Sequence, residues 1–79
     1  MKWKIVDLEV EVEKLLKDVG FPQELFILRT GTDFVCVMFD SKGAVDYFRV
    51  DFENSTLSDD CVYEYKADGK RHCAYIYSW

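Results

Sequence analysis

The sequence predicts an α+β fold in which an N-terminal helix packs on a four- to five-stranded, mostly antiparallel sheet. Three observations carry this expectation. Apolar residues recur at helical spacing in one stretch only, 5–19. After Pro22 the apolar pattern changes to short runs of period two. Polar turns containing glycine separate those runs. At 79 residues and 49% apolar composition, the chain is expected to form one domain, 1–79, and no disordered acidic tail.

In the first element Ile5, Leu8, Val12, Leu15, Leu16 and Val19 make a single apolar stripe. Asp7 is the expected N-cap, with Glu9 and Glu11 at the positive end of the helix dipole. Lys14 and Lys17 suit the opposite end, and Gly20 suits the left-handed position just past it. Leu8–Glu13 also alternates at period two, but Leu15-Leu16 breaks that alternation. Phe21-Pro22 stops the helix.

Strands are expected at Leu25–Thr30, Phe34–Asp40, Ala44–Glu53, Cys61–Lys66 and Lys70–Tyr77. Asn54–Asp60 reads as a polar loop. Ser41-Lys42-Gly43 and Ala67-Asp68-Gly69 each suit a three-residue turn with glycine in the left-handed position. In the last hairpin that turn sets Glu64 opposite His72. It gathers Cys61, Tyr63, Tyr65, Cys73, Tyr75 and Tyr77 on one face, whereas a one-residue slip would mix rings with charge on both faces. In the middle hairpin Phe34, Cys36, Met38, Phe48, Val50 and Phe52 share a face. Val35, Val37, Phe39, Val45 and Tyr47 share the other. Both faces are apolar, and one helix covers only one of them. The remainder is covered by loops, is enclosed by a sheet curled into a half-barrel, or marks an interface with a partner or a second copy.

Several chemistries are excluded or disfavoured. No apolar run approaches the ~20 residues of a membrane span. The start lacks the apolar core of a secretory signal, so a cytoplasmic location is expected. Three cysteines do not make a disulfide framework. Asn54-Ser55-Thr56 matches a glycosylation sequon and reads as a bare loop in such a chain. Cys36, Cys61, His72 and Cys73 could in principle hold zinc. However, there is no Cys-x-x-Cys, and adjacent strand residues His72 and Cys73 point to opposite faces. The same geometry removes a Cys73–His72 nucleophile pair, and no cysteine-enzyme signature surrounds the other thiols. The four glycines are isolated, so no phosphate loop exists. No catalytic centre, metal or cofactor is expected.

Lys66, Lys70, Arg71 and His72 lie beside Tyr63, Tyr65, Tyr75 and Tyr77, a pattern known from nucleic-acid binding on strands. The net charge of −5 disfavours direct contact with phosphates. Acidic residues are the stronger signal. Asp46, Asp51, Glu53, Asp59 and Asp60 follow one another along the expected third strand and its loop, where Arg49 is the only cation between residues 43 and 65. At a sheet edge they would form a negative strip able to dock on a basic groove. Most aromatics are expected in the core. Tyr47 and Trp79 are the expected exceptions, as rigid amphipathic contact residues. The predicted partner-binding set is therefore Asp46, Tyr47, Asp51, Glu53, Asp59, Asp60 and Trp79.

In general character, with one short domain, acidic runs at Asp7–Glu13 and Asp51–Asp60 and no catalytic or metal spacing, the chain resembles the small acidic phage-encoded anti-CRISPR proteins. That class shares no motif, so the resemblance assigns no fold and no residue role. It implies a non-catalytic inhibitor in the host cell cytoplasm. Such a protein would dock on a basic surface of a CRISPR effector complex and block nucleic-acid binding or nuclease recruitment. Two other classes share these features. One is an immunity or antitoxin protein that plugs a toxic enzyme. The other is a small RNA-binding module using the Lys66–His72 hairpin tip.

Overall fold

In the computed structural model, which describes residues 3–79, the chain forms three helices and four strands. The α+β expectation holds, with four strands and every pairing antiparallel. Helix α1 spans Ile5–Asp18 and buries Leu8, Val12 and Leu16. It begins two residues before Asp7, with Lys4 as N-cap, so Asp7 sits in the first turn. Gly20 closes the helix at φ +83°, its N–H bonded to the Lys17 carbonyl. A 3₁₀ turn, Gln23–Leu25, leads into strand β1 (Phe26–Thr30), which pairs with β2 (Phe34–Phe39).

The expected third strand, Ala44–Glu53, is a helix: α2 covers Lys42–Glu53. Ser41 caps it by accepting a 3.0 Å hydrogen bond from the Ala44 N–H, so the expected Ser41-Lys42-Gly43 turn is the start of the helix. Val45, Phe48 and Phe52, at i, i+3 and i+7, are all buried. Val50 would share a face with Phe48 and Phe52 in a strand, but it is 50% exposed. The expected loop 54–60 contains a single helical turn, α3 (Leu57–Asp60), with Leu57 buried.

Strands β3 (Cys61–Asp68) and β4 (Arg71–Ser78) complete the sheet in the order β1-β2-β4-β3. Their turn holds two residues, Gly69 at φ +62° and Lys70, with Asp68 opposite Arg71. Glu64 therefore faces Tyr75, and His72 faces Ala67. This departs by an odd number of residues from the expected register, so the tyrosines divide between the two faces. Tyr63 and Tyr65 lie on the side of Ala74 and Ile76, while Tyr75 and Tyr77 lie on the other. The core decides this. Ala74 and Ile76 are fully buried, and β2 sets them beside the equally buried Val37 and Val35. A register chosen to collect rings would have brought the wrong β3 face to that core.

The helices stack on one sheet face, where Phe39, Phe48, Leu8, Leu16 and Ile76 fill the centre. The exposed area is 5,058 Å², close to the roughly 5,000 Å² that scaling gives for this mass. The ends of the chain are tied together: the Trp3 N–H bonds Ser78 Oγ at 2.7 Å, and the Trp79 N–H bonds the Asp60 carbonyl at 3.0 Å. No described helix is long and apolar enough to cross a membrane.

Candidate functional site

The predicted contact residues do not form one strip, because the segment that carries them is a helix. At 100° per residue, Asp46 and Glu53 fall on one flank of α2 with Arg49 between them. Tyr47 and Asp51 fall on the other flank. Asp46 is engaged by Lys42, whose Nζ lies 3.2 Å from both carboxylate oxygens. Asp51 is half-buried, and its Oδ2 is buried without a hydrogen-bond partner. Asp59 and Asp60 lie on α3. Trp79 lines a separate hollow of about 250 Å³ with Trp3 and Ile5, at the N-terminal end of α1. Tyr47 sits at the opposite end of that helix. Both Tyr47 and Trp79 are 60% exposed.

Tyr47 belongs to a formed feature. Its ring meets the Phe21 ring edge-on, with centroids 5.7 Å apart and planes at 83°. Phe21 in turn packs on core Phe39 at 5.3 Å. Together with Val19, Pro22, Leu25 and Ala44 they line an open groove of about 390 Å³ between the end of α1 and the start of α2. Its walls are almost entirely apolar. Carboxylates surround it in sequence: Asp18 precedes Val19, Glu24 precedes Leu25, and Asp51 lies one turn beyond Tyr47. The groove depends on Phe21-Pro22, which in the sequence mark only a helix stop. A large ring directly after a helix-ending glycine is the signal the sequence offers for it.

Charge is segregated by layer. Ten of the fifteen carboxylates and five of the ten cations lie on the three helices, counting Lys4 at the start of α1. The helical layer alone thus carries the net −5, and the rest of the chain is neutral. On α1, Asp7 and Glu11, and Glu9 and Glu13, are like-charged neighbours four residues apart. Among the described residues the ion pairs are Lys17–Glu13, Lys42–Asp46 and Lys66–Glu64, all solvent-exposed.

The second sheet face carries no helix. Alternation brings Ile27 and Arg29 of β1, Phe34, Cys36 and Met38 of β2, and Cys73, Tyr75 and Tyr77 of β4 to this side. Three rings form a cluster. Phe34 lies 5.3 Å from Tyr75 and 5.9 Å from Tyr77, and the two tyrosines are nearly parallel at 6.4 Å. Lys66 Nζ stands 5.2 Å from the Tyr75 ring centre and 3.4 Å from Glu64. Tyr77 Oη donates a long 3.5 Å bond to the same Glu64 carboxylate. Arg71 Nη1 reaches Met38 Sδ at 4.0 Å.

The sulfur and imidazole groups are kept apart. Cys36, Cys61 and Cys73 are buried free thiols. Burial, with neighbouring Cys73 adding to it, pushes the Cys36 thiol up to about 11, away from nucleophilic thiolate. His72 lies on the other side of the sheet from Cys36 and Cys73. It shares a 2.7 Å hydrogen bond with Tyr65 Oη and stacks on that ring. Cys61, at the far end of the hairpin, is six rungs or ~20 Å from His72. Among the described residues no three His, Cys, Asp or Glu side chains are grouped to hold a metal ion.

Comparison with protein-family models, with curated proteins and with solved structures finds no match to this chain.

Proposed function

We propose that this protein is a non-catalytic, stoichiometric binding protein that docks its helical layer on a basic, nucleic-acid-binding surface of a protein partner. The observation that carries the reading is a coincidence of two features on one layer. The helices that hold the whole net charge also hold an open apolar groove with an exposed tyrosine at its rim. An apolar anchor seated between Phe21 and Tyr47 would supply the affinity. The surrounding carboxylates would steer a cationic surface toward it. Separation of His72 from the thiols supports a role without chemistry. The sequence resemblance to anti-CRISPR proteins adds a partner class to test, a guide-loaded CRISPR effector whose target strand the protein would exclude.

The test is electrophoretic. Purified guide-loaded effectors are mixed with labelled target DNA and increasing protein. The expected result is loss of the shifted band near one protein per effector. Tyr47→Ala should weaken inhibition at least tenfold, the scale of a hot-spot truncation of about 2 kcal/mol, mainly through faster dissociation. Asp18→Lys with Glu24→Lys should slow association and flatten its salt dependence. Full inhibition by a folded Tyr47→Ala variant would remove the groove from the mechanism. Unshifted affinity for every effector at stoichiometric protein would remove the CRISPR partner.

A further inference from the structure

We propose that the open sheet face is a stacking platform for a short stretch of single-stranded nucleic acid. It is a second binding surface, independent of the Phe21–Tyr47 groove. The sequence placed the candidate basic and aromatic residues at the hairpin tip. The structure divides them: Tyr75 and Tyr77 join Phe34 on the open face, whereas Tyr63, Tyr65 and His72 lie on the helix side.

Phe34, Tyr75 and Tyr77 are partly exposed on the two central strands, within 5.3–6.4 Å of one another. Partly exposed rings on adjacent strands offer flat apolar area that any unpaired base can cover. Around the rings stand Arg29 at one edge and Lys66 and Arg71 on the hairpin. Neither arginine pairs with a carboxylate within 4.0 Å among the described residues, so both guanidinium groups are available to phosphates. Two carboxylates share this side. Glu64 is already held by Lys66 and Tyr77, and Asp68 stands opposite Arg71 at the turn.

Net acidity disfavours phosphate contact only if the acid is nearby, and here the excess of carboxylates lies on the helices. The helices that carry the net −5 pack on the opposite face of the sheet from the rings. The screening length at physiological salt is ~8 Å. A strand of phosphates on the open face therefore meets a locally balanced surface with two free arginines.

Four strands at ~4.8 Å spacing and about six residues at ~3.3 Å rise give a face of roughly 19 by 20 Å, room for the few nucleotides that three clustered rings can hold.

Fluorescence anisotropy of labelled ten-nucleotide oligouridine and oligothymidine tests this at low salt. Saturable binding to both, or to the ribose form alone through its 2′-hydroxyls, is the expected result. A duplex of the same length should bind far more weakly. Tyr77→Ala should weaken binding by about five- to 100-fold and Tyr77→Phe should leave it intact, since a ring without its hydroxyl still stacks. Arg29→Gln should reduce the slope of log K against log salt by ~0.7, the value of one phosphate contact on a single strand. Tyr47→Ala should change nothing here, which separates this outcome from failure of the groove. If Tyr77→Ala does not fold, Tyr75→Leu keeps apolar area without a ring and should show the same loss. No anisotropy change up to about 200 µM protein overturns the proposal. So does binding that survives both ring substitutions. So does a homodimer that Tyr77→Ala dissociates, because the face would then belong to a second copy.

Discussion

Cys36 points toward the open sheet face yet is only 4% exposed, because the ring cluster lies over it. That position sets its titration. The thiol is held up at about 11 by burial and by Cys73, whereas the same group in an unfolded chain titrates near 9.0. Between those values the unfolded state has released a proton that the folded state keeps. Stability is therefore fully present below about pH 9 and falls as pH rises toward 11. Tyr63, pushed up to about 12 by burial against Phe52 and Phe48 with Arg49 opposing, extends the loss upward. Urea midpoints from about pH 8 to pH 11 should fall, and Cys36→Ala should make the fall shallower. An identical fall in that variant would place the cause elsewhere. Nothing in the sequence marks Cys36 for this. A cysteine in an alternating run reads only as a small buried apolar residue until the neighbours above it are known.

At the scale of elements, what could be read from the sequence tracks how many periods each segment satisfies. In α1, Leu15-Leu16 excludes a strand, so the helix was legible almost to its ends. β2 is a short, wholly apolar run bounded by polar turns, with Val35, Val37 and Phe39 buried on the helix side. Residues 42–53 satisfy both periods. Phe48, Val50 and Phe52 alternate as a strand would, while Val45, Phe48 and Phe52 fit a helix. Ser41 was the deciding signal, because its hydroxyl caps the chain that Gly43 seemed to turn. The hairpin failed for a different reason. Collecting rings on one face is a plausible rule, but a small alanine at position 74 is what the helix-covered face requires. The strip Asp46–Asp60 fell with the third strand, since a helix spreads those carboxylates over two flanks. Val50 tests the assignment directly. On a half-exposed helix position Val50→Glu should alter stability by no more than about 0.5 kcal/mol. On a strand it would bury a charge beside Phe48 and Phe52 and cost several kcal/mol. A urea midpoint near that of the parent supports the helix, and gross destabilisation would contradict it.

The whole molecule has two unlike sides, and this is what the proposed functions rest on: an acidic helical layer with an apolar groove, and an electrically balanced sheet face with clustered rings. Such segregation has a consequence for stability that even mixing of charge would not have. The helical layer holds twice as many carboxylates as cations, including two like-charged i,i+4 pairs on α1, each unfavourable by a few tenths of a kcal/mol. The opposing ion pairs are exposed and individually worth at most about 1 kcal/mol. The layer's net −5 adds long-range self-repulsion among its remaining carboxylates, which at low ionic strength should outweigh these few local pairs. Raising sodium chloride from about 10 mM to about 500 mM shortens the screening length from ~30 Å to under ~8 Å and should relieve it. With about 1 kcal/mol recovered, a domain of this size should melt roughly 4–8 °C higher. Glu9→Lys, which converts a repulsive Glu9–Glu13 pair into an attractive one, should raise the low-salt melting temperature and shrink its salt response. A melting temperature that falls with salt in the parent would mean the ion pairs dominate, and the charge asymmetry between the two sides would not be felt by the folded chain.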